Sequence, residues 1–330
     1  MTPRILITGP SGFVGGAVVR AAIRSVHRPL LRLVLHHRPI TALTDGRCHV
    51  VEADLADAAS IYGLCEGMDL VLHCASRIGA DPEQCAATNA RGTRALVAEA
   101  ERAGVRRLVY LSTASVYGRG VFVRAREENL GHAPVSPASR TRAEAELAVL
   151  AHGGTVLRPH LVYGVGDRWV VPGLAALLRT LDAPAGRWPT RVSMVDVGSL
   201  AQVLLAAAFS DRPRLAGAAY HANHPDPVDC AVLLEHVRAL LGARPPAEPV
   251  DLTRAAARVA ADPRSRHVLA MLSTDHWFES SRIWNLTGCP PGPGFPGPFQ
   301  ECAPWYRALL GAADDDFTTP PPGPRPGAAA

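Results

Sequence analysis

Along the first half of the chain, short β-prone apolar runs alternate with stretches in which apolar residues recur every three or four positions. Residues 4–7 form the first run, and the segment after it places Val14, Val18, Ala21 and Ala22 on one helical face. Runs at 30–36, 49–52, 69–75, 105–113 and 155–159 read as further strands. Helical segments at 88–103, closed by Gly104, and at 139–150, stopped by Gly153 and Gly154, stand between the later ones. Strand and helix in regular succession predict an α/β fold, a Rossmann-like doubly wound parallel sheet with helices on both faces.

The rhythm changes after Gly166. Helical patterns at 174–181, 200–209, 231–241, 252–261 and 303–310 surround one short strand at 218–222. We therefore expect a nucleotide-binding domain of residues 1–165 plus about 192–222, and a smaller C-terminal substrate-binding lobe of 166–191 plus about 223–312. The stretch 119–135 is expected to form a small flap over the site. Residues 313–330, acidic and then rich in Pro, Gly and Ala, are expected to be disordered.

Composition narrows the partners. A net charge of +4 with 30 acidic residues spread along the chain offers no basic block with interleaved aromatics, so no nucleic-acid partner is expected. No apolar run reaches the roughly 18–20 residues that span a bilayer, and the first strand begins too early to leave room for a signal peptide. The 7 cysteines include no Cys-x-x-Cys pair, which fits a reducing compartment and neither disulfides nor a metal site. His221 and His224 likewise lack a metal-binding constellation. A cytoplasmic monomer or homodimer acting on a small molecule is the expectation. All 34 basic residues are arginine, which removes every mechanism that needs a lysine amine.

Candidate chemistry begins at Thr8–Gly16, where Gly9, Gly12 and Gly15 are spaced Gly-x-x-Gly-x-x-Gly between a strand and a helix. Backbone N–H groups and a helix N-terminus at such a turn hold a pyrophosphate, and side chains at the glycines would block the approach. At the end of the second strand no acidic residue stands ready for a ribose 2′-hydroxyl. His36, His37 and Arg38 stand there instead, with Arg38 able to fork onto a 2′-phosphate. NADPH is favoured over NADH on that ground.

Several further stretches, in order, resemble the extended short-chain dehydrogenase/reductase family, in its epimerase/dehydratase branch. Thr8-Gly-Pro-Ser-Gly-Phe-Val-Gly is similar to that family's Thr-Gly-x-x-Gly-Phe-Ile-Gly loop, and Ala53-Asp54-Leu55 to its adenine-contacting Gly-Asp-Leu. His73-Cys74-Ala75-Ser76, Asn89-Ala-Arg-Gly92-Thr93, Ser112-Thr-Ala-Ser-Val-Tyr-Gly118, Arg158-Pro-His-Leu-Val-Tyr-Gly164 and Val195-Asp196-Val197 each match a family motif at the right place in the chain. The resemblance implies cofactor contacts from Gly9, Ser11, Gly12, Phe13, Val14, Gly15, His37, Arg38, Asp54, Leu55, Cys74, Ala75, Ser76, Arg142, Pro159 and His160. It implies structural roles for Tyr117, Tyr163 and Asn89.

Family chemistry rests on a Ser or Thr with a Tyr-x-x-x-Lys pair, in which lysine lowers the phenol's pKa and binds the ribose while tyrosine passes the proton. Thr113, with Ser115 beside it, fits the hydroxyl position. Ala138 stands where tyrosine belongs and Arg142 where lysine belongs. The same absence is similar to the simocyclinone-type angucyclinone ketoreductases, atypical members without the usual triad. That likeness implies NADPH-dependent reduction of a ketone on a bacterial secondary metabolite, an aromatic polyketide, with the substrate's own phenol assisting the proton. The alternatives are a sugar-nucleotide epimerase or dehydratase, and a non-catalytic NAD(P)-binding regulator. Trp169, Trp188 and Trp277 are candidates for stacking on a flat substrate or for core packing.

Overall fold

In a computed structural model that describes residues 2–37, 39–40, 46–182, 186, 188–242 and 248–311, seven of the runs pair as one parallel sheet. Its strands are β1 (Arg4–Thr8), β2 (Leu30–Leu35), β3 (Cys48–Glu52), β4 (Leu70–His73), β5 (Arg107–Leu111), β6 (Thr155–Arg158) and β7 (Ala219–His221). They lie in the order β7-β6-β5-β4-β1-β2-β3. The order reverses between β1 and β4, where Thr8 stands opposite His73, and such a reversal opens a crevice at the strands' C-terminal ends. The longer helices are α1 (Phe13–Arg24), α2 (Gly92–Arg102), α3 (Pro137–Ala151), α4 (Val170–Leu181), α5 (Val197–Phe209), α6 (Cys230–Leu240), α7 (Pro263–Leu272) and α8 (Gly297–Gly311).

Because side chains alternate along a strand, each face of the sheet builds its own core. Ile5, Ile7, Leu33, Leu72, Val109 and Leu157 pack with α1 and α5. Leu6, Val34, Val71, Leu108 and Val156 pack with α2 and α3 on the other side. Each such side chain, fully withdrawn from water, contributes roughly 1.5–3 kcal/mol. The start of α3 is fixed chemically as well. Pro137 occupies its first turn, the Ser136 side chain accepts from the Ser139 amide at 3.1 Å, and Ser139 Oγ accepts from the Ser136 amide at 3.0 Å. This capping box sets the register of the helix that carries positions 138 and 142.

The helix expected at 88–103 starts earlier. Asp81 caps a turn at Pro82–Cys85, a π-helical segment Ala86–Arg91 follows, and α2 continues from it. In the C-terminal part, α4, α6, α7 and α8 enclose a separate core around Leu174, Leu177, Leu233, Leu269, Phe299 and Tyr306. Both α7 and the early start of α8 depart from expectation. Pro263 sits in the first turn of α7 behind the Asp262 cap, where a missing N–H is harmless. Pro304 lies inside α8 and is tolerated because Phe299, Cys302, Ala303, Tyr306 and Leu310 are all buried along that helix.

The stretch 119–135 is not a free flap. Its strand Phe122–Ala125 pairs in parallel with His276–Phe278 in a four-stranded sheet completed by Arg191–Val192 and Val228–Asp229. Phe122 is buried against Phe278, their ring centroids 5.3 Å apart, and this packing holds the stretch in place. The tail at 313–330 lies outside the described residues. Among the described residues no helix is long and apolar enough to cross a membrane.

Candidate active site

The glycine loop joins β1 to α1 at the reversal point. Gly12 precedes α1 with no side-chain cap, and the first turn holds no acidic residue, so its N–H groups are left for a ligand. A Cβ on Gly9, at φ +66°, would stand 2.8 Å from Ala75, and one on Gly15 would stand 2.0 Å from the Gly9 carbonyl. The loop thus closes directly on the tail of β4, bringing Gly9 to Cys74 and Ala75. Ser11 is exposed at the turn, while Phe13 and Val14 pack against the core. These features fit a dinucleotide's pyrophosphate. Gly15→Ala should therefore displace the loop and weaken binding of a nicotinamide dinucleotide by roughly tenfold or more, overpacking there costing on the order of 1–3 kcal/mol. Titration of NADPH fluorescence reads this, and an unchanged affinity would remove the loop from the site.

Where the adenine end is expected, His36 Nε2 lies 3.3 Å from Asp54 Oδ2, and the exposed His37 ring lies against His36. Arg38 lies outside the described residues. Leu55 is buried, its carbonyl packed against Gly92 at the start of α2.

Across the reversal point a closed hydrogen-bond chain ties β1 to β4. The Ala75 amide donates to Thr8 Oγ1 at 3.2 Å, and Thr8 Oγ1 and His73 Nδ1 share a hydrogen bond of 2.6 Å. His73 Nε2 shares another, of 2.8 Å, with Thr93 Oγ1. Burial, helped by the Arg142 charge, lowers the His73 pKa to about 3, so this imidazole stays neutral. Asn89, placed by the π-helical turn, bonds the Arg77 amide at 2.7 Å, the Arg77 carbonyl at 2.9 Å and Thr141 Oγ1 at 3.0 Å. It clamps the segment after β4 to α3, a structural role.

Thr113 follows β5, and its Oγ1 lies 3.1 Å from Ser115 Oγ. The neighbouring Ala114 amide donates to the Pro159 carbonyl at 2.8 Å, so the segments after β5 and β6 are bonded side by side. Ala138 sits half-buried in the first turn of α3 and offers no ionisable group. One turn on, Arg142 Nη2 donates to the Leu111 carbonyl at 2.6 Å, while its Nε is buried with no partner among the described residues. Tyr110 Oη and Ser112 Oγ, flanking Leu111, are buried as well, the phenol near Arg142 and the hydroxyl near Glu146. Burial raises the Tyr110 phenol above its ordinary range although Arg142 works against it, so it is no ready acid.

His160 is the side chain the motif reading placed least well. Its backbone amide donates to Asn223 Oδ1 at 2.7 Å, and its ring stacks on His276 at 4.5 Å and 16°. Phe278 meets it edge-on at 5.6 Å. The wall of His276 and Phe278 comes from a late strand that no motif marks. Beneath it, Tyr117 Oη lies 2.7 Å from Arg158 Nη1 and 2.8 Å from His221 Nε2, so the phenol is engaged inside the protein. Trp188 is buried and donates to the Val250 carbonyl, Trp277 lies under Arg191, and Trp169 is 71% exposed.

The sequence profile described as "NAD dependent epimerase/dehydratase family" matches residues 5–185. A 2-alkyl-3-oxoalkanoate reductase of Stenotrophomonas maltophilia (strain K279a) is 28% identical over 305 residues, covering 83% of this chain and 91% of that protein. A 3 beta-hydroxysteroid dehydrogenase/Delta 5-->4-isomerase of Mycobacterium tuberculosis (strain ATCC 25618 / H37Rv) is 28% identical over 267 residues, 73% of this chain and 69% of that one. In three dimensions, the dTDP-glucose 4,6-dehydratase DesIV of Streptomyces venezuelae, solved with NAD and TYD bound, gives a TM-score of 0.71 at 21% identity, with 94% and 98% of the two chains covered.

Proposed function

The chain belongs to the NAD dependent epimerase/dehydratase family, and we propose that it is an NADPH-dependent reductase of a phenol-flanked ketone, such as an angucyclinone-like aromatic polyketide, that works without the family's tyrosine and lysine. One observation carries this reading: the first turn of α3 presents Ala138, and the charged group one turn later, Arg142, is held to the Leu111 carbonyl. Epimerases and dehydratases begin by oxidising an alcohol and need a base for its proton. Neither Ala138 nor the hydroxyls of Thr113 and Ser115 is one, and guanidinium does not titrate near neutrality. Reduction needs no base, because the oxygen receives a proton. The relative named as a reductase supports the same direction, whereas the dehydrogenase is named for the reverse one.

The bound nicotinamide supplies the hydride. The carbonyl carbon accepts it, the C=O π pair moves onto oxygen, and that oxygen takes the proton of the neighbouring phenol, whose phenolate is reprotonated by water. The chain's residues position and polarise. Gly9, Gly12 and Gly15 admit the pyrophosphate, with Ser11, Phe13 and Val14 around them. His37 and Arg38 would meet a 2′-phosphate, and Asp54 and Leu55 would border the adenine. Cys74, Ala75, Ser76 and Pro159 shape the nicotinamide end, and Arg142 keeps positive charge there. Thr113 and Ser115 orient the ketone. Residues 1–165 and about 192–222 serve as the nucleotide domain, the remainder to 312 as the substrate lobe.

Ile78, Val121, Val123, Val135, Val165 and Trp169 are exposed on segments that follow β4, β5 and β6 in the chain, apolar surface available to a flat substrate. Mixing the protein with NADPH and a tetralone bearing a hydroxyl peri to its ketone should consume NADPH. The methyl ether of the same tetralone should react roughly 100-fold more slowly or worse, the typical worth of a positioned proton donor. Equal rates on the two would exclude substrate-assisted protonation. Tight NADPH binding with no oxidation would favour the non-catalytic regulator.

A further inference from the structure

We propose that His160 takes the place of the missing phenol as the protein's own hydrogen-bond donor to the ketone oxygen, through Nδ1–H; this rests on the ketoreductase reading. The imidazole follows β6 at the C-terminal edge of the sheet, and the Ala114–Pro159 hydrogen bond of 2.8 Å holds its segment against the one that carries Thr113. Its backbone is pinned by Asn223, itself fully buried and donating to Ser280 Oγ at 3.1 Å. Its ring is pinned by His276 and Phe278. A half-buried side chain with so little freedom has the rigidity of a catalytic group.

The two ring nitrogens are not equivalent. Nε2 is sealed in the protein without a partner, whereas Nδ1 is neither sealed nor bonded to any described residue. A buried N–H without an acceptor is rarer and worse than a buried lone pair, so the single proton of a neutral ring belongs on Nδ1, the nitrogen open to a ligand. Neutrality follows from surroundings: burial first, then the neighbouring His276 and His221, hold the His160 pKa well below its ordinary value. Neutral imidazole is too weak an acid to give up this proton at each turnover. It is a sufficient donor to an oxygen gaining negative charge, and the carbonyl's second lone pair remains for the substrate phenol. His160 keeps its proton throughout.

His160→Phe retains the packing on His276 and Phe278 and removes both nitrogens. With the peri-hydroxy tetralone at saturating NADPH it should lower kcat by roughly 100-fold. His160→Asn, which returns an amide near the Nδ1 position, should recover about tenfold of that loss, and His160→Gln should not. A second measurement needs no variant. In protein carrying isotope-labelled histidine and bound to oxidised NADP, adding the tetralone should shift the Nδ1 resonance of His160 and leave Nε2 unmoved. A Phe variant with unreduced kcat, or an Nδ1 resonance indifferent to the ketone, overturns the proposal. If the unaltered protein reduces neither the tetralone nor its methyl ether, the ketoreductase reading falls and this assignment with it. Turnover that persists in the Phe variant removes His160 alone.

Discussion

Glu146→Ala is expected to destabilise the protein by about 3–5 kcal/mol, a large share of the total stability of an ordinary domain. Glu146 is fully buried in α3, one turn beyond Arg142, and Arg158 is 5% exposed on β6. Arg158 grips the carboxylate through Nε at 3.0 Å and Nη2 at 2.5 Å, and His132 Nε2 approaches it at 3.0 Å. Burial alone would raise the Glu146 carboxyl; the hydrogen bonds of His132 and Arg158 and the Arg158 charge outweigh it and hold the pKa below the ordinary range. Alanine would leave the guanidinium buried without a counter-charge, which is why breaking such a pair is far more damaging than the pair is stabilising. The effect reaches the site, because Arg158 also holds Tyr117 and through it His221 on β7. Urea unfolding should show a lower midpoint at an unchanged slope. A loss below about 1 kcal/mol would mean that water reaches Arg158.

Acid should unfold the protein over an unusually narrow and mild range. His73, His160, His221 and His276 are buried and neutral, with pKa lowered to about 3 for His73, to about 4 for His221 and His276, and well below the ordinary value for His160. Desolvation is the leading cause in all of them. The sign follows from proton counts. Above about pH 6.5 both states hold these rings neutral and nothing changes. Below it the unfolded chain binds protons that the folded one refuses, so stability falls, by up to about 1.4 kcal/mol per pH unit for each ring. The loss continues down to the folded-state values near 4. Melting temperatures should be level with respect to these groups from pH 8 to 7 and drop steeply between about 6 and 4.5. His276→Phe, in an environment already lined by Phe122 and Phe278, should make that drop shallower by one proton. A melting temperature constant down to pH 5 would contradict the neutral assignment.

The large sheet was legible because its evidence is local. Apolar runs bounded by glycine marked each strand to within a few residues, and the run at 139–150 marked the helix that carries Arg142. What stayed hidden depends on partners distant in the chain. Nothing in Val121-Phe-Val-Arg announces that it will pair with His276–Phe278, since each segment is too short to show a period and the pairing carries an irregular register. His160 was therefore assigned to the cofactor region without the aromatic wall that orients its ring. The helix α7 and the first turns of α8 went unexpected, although proline is compatible with a helix's first turn, where Pro263 sits behind the Asp262 cap.

The pairing of Phe122–Ala125 with His276–Phe278 has a consequence for the order of events during synthesis. The strand Phe122–Ala125 is made before α3 and β6, and its partner emerges only in the last quarter of the chain. A ribosome-bound intermediate that has already formed β1 to β6 would hold the dinucleotide crevice while His160 still lacked the ring it stacks on. Cofactor binding would then precede substrate competence in the life of each molecule. Chains ending before residue 276 would lack both the partner strand of Phe122–Ala125 and the ring on which His160 stacks.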